Sequence, residues 1–476
     1  MRTGLSRYLL AGILSISPVS LIQADDLPLI ANSSSTISLD QEYQLGRTWA
    51  RMLRGSAPEY GDPLLVNYID GLLWKIAANS QLQDHRLDLI VLDTPVLNAF
   101  AVPGGVVGIN AGLFLGAQDE QEFASVIAHE LAHLSQRHYA QQLEESRRNT
   151  PLLLAGILAS ILIASADSQA GMAGITSSMA AGQQSSINFT RRNEQEADRI
   201  GMLNMVNSGF DPYAMPRMFS RLQRASRFLG QKPPEFLLTH PVTESRIADA
   251  ENRAGQLTKP AFKQQSYEYQ LLKKRVEVHY ASDLNQLIKG YQVSASDDQL
   301  SAYGLALALI KKGDYDQAEK ALAKLPDNLQ RHLYIRLTYA ELALAAGKHQ
   351  QALQQMEQLI QLYPDSYPVS QRYAKALSAN RQYKKAARIL SELSQRFPSN
   401  SYIWYELAEA YGLAGNTLGV HEARSEYFLL TGSTDKALRQ IDFALREKNL
   451  SSSDIARLEE RKREAERVRE QIKNSL

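Results

Sequence analysis

The sequence contains no cysteine at any of its 476 positions. This absence excludes disulfides, cysteine-ligated metal sites and a lipid attached to a cysteine behind a secretion signal. An excess of charge of either sign is also absent, since 52 Lys and Arg face 51 Asp and Glu. Without a basic field or a strongly basic stripe, we expect no nucleic-acid partner.

Long hydrophobic runs are missing too. A membrane-spanning helix needs about 20 apolar residues, and the apolar stretches at 8–22 and 152–164 are shorter. Residues 1–24 have the layout of a cleavable secretory signal, because Arg2 and Arg7 precede the apolar stretch and Ala24 precedes acidic residues. The alternative interpretation of this segment is a short membrane anchor.

The second apolar stretch belongs to an insert, residues 151–187, that is rich in Gly, Ala and Ser. It allows three interpretations: a buried core helix, a mobile lid, or an element that makes peripheral contact with a membrane or an apolar partner. The small residues that follow the apolar stretch favour the lid or contact element over the core helix.

The second half of the chain repeats every 34 residues, which is typical of tetratricopeptide repeats. The alternative is a helical bundle whose alanines align by chance. We therefore predict an α-solenoid over residues 266–476, with a capping helix at its C-terminal end and a role in binding proteins. Three columns carry the period: Ala306, Ala340, Ala374 and Ala408; Ala318, Ala352, Ala386 and Val420; and Leu325, Leu359, Leu393 and Tyr427.

Residues 25–265 show a different pattern, that of a mainly helical α+β domain with a small sheet. Residues 40–55 and 63–80 have the apolar period of helices, and residues 86–93 alternate like a strand. A second pair of strands is predicted at 100–110, broken by Pro103-Gly104-Gly105. We expect either NAFAV or VVGIN to pair with an extended substrate.

The segment SVIAHELAHLSQRH, residues 125–138, contains the order H-E-x-x-H. On a helix, His129 and His133 lie one turn apart and can reach the same metal ion, while Glu130 can hold a water without binding the metal. The alternative is an ordinary histidine pair on the surface or in the core. A catalytic zinc site needs a third protein ligand and an open position.

His138 is the nearest candidate for that ligand, but it follows His133 by a spacing that points it elsewhere in a continuous helix, so we interpret it as structural. The segment RRNEQEADRIG is a better source. Glu194 and Asp198 share one helix face there, so one can bind zinc while the other orients an imidazole, and Glu196 is expected to face solvent. The alternative is a solvated acidic face.

His240 precedes Pro241 and is therefore expected on a non-helical turn. Three roles stay open for it: a fourth ligand that keeps the enzyme latent, a group that stabilises the transition state, or a plain turn histidine. Arg246 is a weaker candidate for stabilising the oxyanion, and a position on a helix surface is expected for it.

The motifs NAFAVPGG, HELAH followed by RH, E-x-E-A-D and LLTHP together resemble the HtpX and CAAX-prenyl-protease type of zinc metallopeptidase. The resemblance implies one zinc ion per chain, bound by His129, His133 and Glu194. It also implies that Glu130 is catalytic and that Asp198 supports a ligand. In this reaction Glu130 accepts a proton from the attacking water and passes it to the leaving amine.

The order of signal peptide, protease domain and repeats is similar to that of the β-barrel assembly-enhancing proteases of the periplasm. This resemblance implies a periplasmic endopeptidase that degrades unfolded or stalled outer-membrane β-barrel proteins. The repeats would then contact the β-barrel assembly machinery or present the client. The alternative is a chaperone or adaptor whose metal site is latent, although an intact Glu130 and intact ligands favour the enzyme.

Overall fold

The computed structural model describes residues 37–141, 191–228, 235–258, 260–261, 266–295 and 298–475. The predicted signal peptide and the apolar insert lie outside these residues. No helix within the described ranges is long and apolar enough to cross a membrane.

The first half of the chain is mainly helical, as predicted. Its first two helices begin at side-chain caps, since Ser38 and Gln41 form a capping box and Asp62 accepts a hydrogen bond from the Leu64 N–H just before Pro63. The helices are α1 (Leu39–Ser56), α2 (Pro63–Ala77), α3 (Leu113–Gly116), α4 (Glu120–Ser135), α5 (Arg191–Asn207), α6 (Ala214–Phe228), α7 (Glu235–Thr239) and α8 (Glu244–Gln256).

A three-stranded sheet, in the order β1-β3-β2, lies beside α4. Strand β1 (Asp88–Leu92) runs parallel to β3 (Val106–Asn110), and β2 (Ala99–Val102) pairs with β3 in the antiparallel direction. The predicted small sheet is thus confirmed. The central strand is VVGIN, so both of its edges are occupied, whereas NAFAV belongs to an edge strand. The expectation that either strand could pair with an extended substrate was wrong for VVGIN.

The turn between β2 and β3 depends on Gly104, whose φ of +77° lies in the left-handed region. A Cβ at this position would stand 2.4 Å from the carbonyl oxygen of Glu42 on α1. Glycine therefore lets helix α1 lie directly against the sheet, next to the strand that borders α4.

The second half is an α-solenoid of helix pairs, which confirms the prediction from the repeat period. Its helices are α9 (Tyr267–His279), α10 (Leu284–Ser294), α11 (Gln299–Lys312), α12 (Tyr315–Ala323), α13 (Asp327–Gln330), α14 (Leu333–Ala345), α15 (His349–Leu362), α16 (Tyr367–Ala379), α17 (Tyr383–Arg396), α18 (Ser401–Leu413), α19 (Thr417–Leu430), α20 (Thr434–Ala444) and α21 (Ser452–Ser475).

The alanine columns lie where paired helices cross. All four members of the first column are buried, and so are the three alanines of the second, while Val420 in the fourth repeat is half-buried. Small side chains are needed at these points because the helix backbones approach closely. The last helix, α21, covers the end of the solenoid with Leu458, Ala465 and Val468, as predicted for a capping helix.

The two halves share one apolar core rather than a thin interface. Tyr269, on the first solenoid helix, is fully buried and stacks on Phe114 of α3 with ring centroids 4.8 Å apart. A second contact lies towards the far end of the solenoid, where the backbone of α1 touches the backbone of Thr431 at Gly55. A Cβ at Gly55 would stand 2.4 Å from the carbonyl oxygen of Thr431, so only glycine allows this approach. The solenoid therefore holds the first half at two separate places.

A buried group of charges also joins the halves. Arg275 on α9 binds Asp62 at the start of α2, with Nε 2.5 Å from Oδ2, and donates to both carboxylate oxygens of Glu341 on α14 at 2.9 and 2.8 Å. Arg372 contacts both carboxylates. Burial alone would raise the pKa of Asp62, but Arg275 and Arg372 lower it overall. Two guanidinium and two carboxylate groups thus compensate for one another's burial.

We expect Asp62→Asn to lower the free energy of unfolding by about 3–5 kcal/mol, because Asn keeps the helix cap but leaves the buried guanidinium groups without one of their two counter-charges. The measurement is the urea unfolding midpoint of the full chain. Asp283→Asn is the matched control, since Asp283 caps α10 in the same way in an exposed position. That control should change stability by no more than about 0.5 kcal/mol. Equal effects of the two substitutions would contradict a role for the buried charges.

Candidate metal centre

Helix α4 carries His129, Glu130 and His133 through the core. It begins at Asp119, whose carboxylate accepts a hydrogen bond from the Glu122 N–H at 2.9 Å, and nearly all of its residues are buried. The two histidines lie on one face, with their Nε2 atoms 3.0 Å apart. The predicted arrangement of the histidine pair is therefore present, and the surface alternative is wrong.

Helix α5 supplies the carboxylate. Its packing on α4 is close at Gly201, where a Cβ would stand 3.0 Å from the carbonyl oxygen of Ala128. Glu194, in the first turn of α5, has Oε1 3.4 Å from Nε2 of His133 and Oε2 3.6 Å from Nε2 of His129. It is buried, so the acidic run is not a solvated face at this position.

His240 joins the same group. It lies on a turn between α7 and α8, as predicted, and is 2% exposed. Its Nδ1 is 2.9 Å from Oε1 of Glu194 and 3.4 Å from Nε2 of His129, and its Nε2 is 3.6 Å from Oε1 of Glu130. The sequence placed His240 in a turn, and the fold brings that turn over the two α4 histidines.

His129, His133, Glu194 and His240 therefore form one buried group, the four-residue group, whose candidate ligand atoms all lie within 4.8 Å of one another. A carboxylate and several imidazole nitrogens that converge in an apolar core suit a divalent cation, which would balance the negative charge and accept the lone pairs. Imidazole and carboxylate ligands suit zinc. The residues present thus fit a metal ion.

Asp198 lies behind His129. Its Oδ1 is 3.0 Å from Nδ1 of His129, and both of its oxygens accept hydrogen bonds from Arg246 at 2.8 and 2.7 Å. Arg246 also places Nη1 2.7 Å from Oε2 of Glu194. Burial would raise the pKa of Asp198, but His129 and Arg246 lower it overall, so the carboxylate stays ionised.

Arg246 is 5% exposed, and its expected position on a helix surface was wrong. It lies in the first turn of helix α8 with its guanidinium turned inward, where the charges of Asp198 and Glu194 raise its pKa in spite of burial. Its position follows from pairing across two helices that are far apart in sequence. Only the acidic residues at Glu194 and Asp198 hinted that a buried cation was needed.

His138 does not join the four-residue group, but it does not point away from it either. The helix is not continuous as far as His138, since α4 ends at Ser135 and Arg137 takes a left-handed φ of +54°. The chain then turns back, so that Nδ1 of His138 is 2.9 Å from Nδ1 of His133. Glu196 is half-buried rather than solvent-facing, with Oε2 3.5 Å from Nε2 of His138.

Glu130 is buried at 1% exposure, and burial raises its pKa above the usual value. A hydrogen bond from the backbone of Ala101, on the edge strand β2, lowers the pKa of Glu130 but does not cancel the effect of burial. Within the described ranges, its Oε1 has no hydrogen-bond partner. A carboxylate with a raised pKa and one uncommitted oxygen beside a metal-binding group is suited to accept and return a proton.

The charges of the group depend on one another. Burial lowers the pKa of His133 well below its usual value, which keeps the ring neutral and able to bind a metal. Burial alone would raise the pKa of Glu194, but His240 and His133 lower this pKa well below its usual value. Glu194 is therefore an anion in the folded protein, as a metal ligand must be.

Comparison with known proteins agrees with this geometry. The model of Peptidase family M48 matches residues 63–254, and two tetratricopeptide-repeat models match residues 303–367 and 343–410. The first match contains every residue of the four-residue group, and the other two fall within the solenoid.

Two relatives align with this chain over nearly its whole length. The chain is 36% identical over 469 residues to the "Beta-barrel assembly-enhancing protease" of Escherichia coli O157:H7, covering 96% of this chain and 95% of that protein. It is 35% identical over 480 residues to the protein of the same name from Yersinia pestis, covering 99% and 98% of the two chains. The mitochondrial metalloendopeptidase OMA1 of Schizosaccharomyces pombe is 30% identical over 221 residues, 45% of this chain and 61% of its own. With a buried metal-binding group on an H-E-x-x-H helix and a repeat solenoid behind it, the chain belongs to the β-barrel assembly-enhancing protease family of M48 metalloendopeptidases.

Proposed function

We propose that this chain is a periplasmic, zinc-dependent endopeptidase that degrades misassembled outer-membrane β-barrel proteins and also assists their assembly. The observation that carries the proposal is the burial of Glu130 beside the four-residue group, since a lapsed site would not need to keep a proton acceptor next to intact ligands. The names of the full-length relatives support the substrate class.

In this proposal His129, His133 and Glu194 would hold a single zinc ion. A bound zinc ion supplies Lewis-acid chemistry, since it activates water and polarises a carbonyl group. Asp198, held by Arg246, places Oδ1 3.0 Å from Nδ1 of His129 and would fix the direction of that ring. Asp198 is thus a positioning residue.

Glu130 is the general base and then the general acid. Its Oε1 faces the four-residue group, 3.6 Å from Nε2 of His240, while the backbone of Ala101 holds the carboxylate in place. A raised pKa lies closer to neutral pH, and a carboxyl group with such a pKa both accepts and donates a proton efficiently. It would accept a proton from the attacking water and deliver it to the leaving amine.

The solenoid supplies the binding function in this proposal. Tetratricopeptide repeats bind other proteins, and the shared core keeps this binding surface in a constant relation to the peptidase half. We propose that the repeats contact the β-barrel assembly machinery or the unfolded client. Peripheral membrane contact through residues 151–187 stays a separate proposal, because that insert lies outside the described residues.

We expect Glu130→Gln to reduce cleavage of an unfolded outer-membrane β-barrel protein by roughly 100-fold or more, because Gln cannot accept a proton. The variant should still bind one zinc ion per chain, since Glu130 is not a ligand. The measurements are the rate of client degradation on gels and zinc content by competition with a chromophoric chelator. Glu251→Gln, an exposed change on α8, is the matched control and should keep the parent rate.

Equal cleavage by the Glu130→Gln variant and the parent would contradict the role of Glu130. If neither protein cleaves although both hold zinc, the result would favour the alternative function, a chaperone or adaptor with a latent site. A parent that binds no zinc would contradict the proposed metal.

We further propose that His240 is the switch between the latent and the active forms. Its Nδ1 lies in the four-residue group, where it can take the position that a catalytic water needs. A site closed by four protein ligands is typical of structural rather than catalytic zinc. The turn that carries His240 would have to move before the enzyme can work.

His240→Ala should therefore cleave the same client faster than the parent. If the closed form is favoured by about 1.4 kcal/mol, the increase is about tenfold. The exposed His85→Ala variant is the control and should match the parent. An unchanged rate in His240→Ala would contradict both functional roles of His240, and a lower rate would favour stabilisation of the transition state instead of latency.

A further inference from the structure

The two α4 histidines have different supports behind them. His129 places its Nδ1 against a carboxylate, Asp198, at 3.0 Å. His133 places its Nδ1 against another imidazole, that of His138, at 2.9 Å. His138 is fully buried and belongs neither to the four-residue group nor to the proton transfer assigned to Glu130. Its position needs an explanation of its own.

The turn that brings His138 back is held by a buried ion pair. Left-handed backbone is unfavourable for a residue with a Cβ, so the φ of +54° at Arg137 needs support from the surrounding structure. The Arg137 side chain is buried, with Nε 2.7 Å from Oε1 of Glu42 and Nη2 2.5 Å from the carbonyl oxygen of Ile37. Helix α1 thereby fixes the turn that follows α4.

Proton positions then follow from the directions of the rings. Nε2 of His133 faces Glu194 and His129, so it must carry a lone pair if His133 is to bind a metal. Its single proton must then be on Nδ1, which donates to Nδ1 of His138. His138 carries its own proton on Nε2, which faces Glu196 at 3.5 Å. In the reverse arrangement, the proton of His133 would point into the metal site.

We propose that His138, backed by Glu196 and held by the Arg137 turn, is a positioning residue that sets the tautomer and ring direction of His133 for metal binding. The proposal rests on the assignment of His133 as a metal ligand in the proposed function. It adds a row of three neighbouring side chains, Glu196, His138 and His133, that is separate from the pair Arg246 and Asp198 behind His129.

This role of His138 explains why an H-E-x-x-H helix should be followed by a buried histidine that is not a metal ligand. A carboxylate in the place of His138 would add a further buried negative charge to a site that already contains the carboxyl groups of Glu130, Glu194 and Asp198. A neutral ring accepts the same proton without that charge. Glu196 stands behind that ring in a half-buried position, with Oε2 3.5 Å from Nε2 of His138.

The test compares two substitutions that remove the ring. His138→Asn keeps an acceptor oxygen near the position of Nδ1, whereas His138→Leu fills the space without any acceptor. Zinc affinity of the full chain is measured by competition with a chromophoric chelator, and client cleavage is measured beside it. We expect His138→Leu to bind zinc 10–100-fold more weakly, which is roughly the usual effect of losing such a support. His138→Asn should recover most of that loss.

Two further variants complete the design. Glu196→Gln removes the charge behind His138 and should weaken zinc binding by a smaller factor than His138→Leu. His421→Leu, a half-buried histidine of the solenoid that binds Gln440, is the control and should keep the parent affinity. Thermal unfolding of the metal-free proteins separates a folding defect from a binding defect. If His138→Leu does not fold, the Asn and Gln variants still decide the question.

The proposal would be overturned if the His138→Leu variant bound zinc as tightly as the parent. It would also be overturned if His138→Leu and His138→Asn lost the same amount of zinc affinity, since the acceptor atom would then not matter. If the His138→Leu variant does not fold, the proposal would be overturned by a zinc affinity equal to that of the parent in both His138→Asn and Glu196→Gln. A parent protein that binds no zinc would overturn the proposed function instead, so the two failures are distinguishable.

Discussion

A carboxylate and three imidazoles converge in the core of this protein, and the structure around them compensates for their burial. An isolated ion in an apolar interior is costly, and a group of this kind persists only where each member has a partner of suitable charge or a proton in the right place. Arg246 is that partner for Asp198 and Glu194. Helices α4 and α5 must approach closely to bring the group together, which is why glycine stands at position 201.

The site is held in place by parts of the chain that contribute no metal-binding or proton-transferring residue. Glu42 on the first helix holds the turn after α4, and the edge strand β2 holds Glu130 through its backbone. Both elements lie against the same β2–β3 turn, where Gly104 allows α1 to approach. The positions of the reactive groups therefore depend on the packing of α1 against the sheet, and a disturbance there would reach the site through two routes.

Much of this arrangement could be predicted from the sequence. The 34-residue period and the H-E-x-x-H spacing are local patterns with a direct geometric meaning, so they predicted the solenoid and the two α4 histidines. The acidic pair Glu194 and Asp198 could be found because four residues make one helical turn. These features need no knowledge of how distant segments pack.

Other features depend on distant segments, and these were the ones that the sequence did not predict. Arg137 is neither Gly nor Asn, the usual residues of a left-handed helix end, so nothing local signalled that α4 ends early. Its conformation is set by Glu42, far away in sequence. The inward position of Arg246 and the central position of VVGIN likewise follow from tertiary packing. Hydrophobic period alone does not give strand order.

The stacking of Tyr269 on Phe114 also bears on how the protein is made. A chain that emerges from its N-terminus exposes the whole peptidase half before the first solenoid helix is present, and until then the ring that fills this part of the core is missing. A partly made chain would therefore hold its metal-binding residues in an incompletely packed fold. The core of the peptidase half and the start of the solenoid would therefore be completed together.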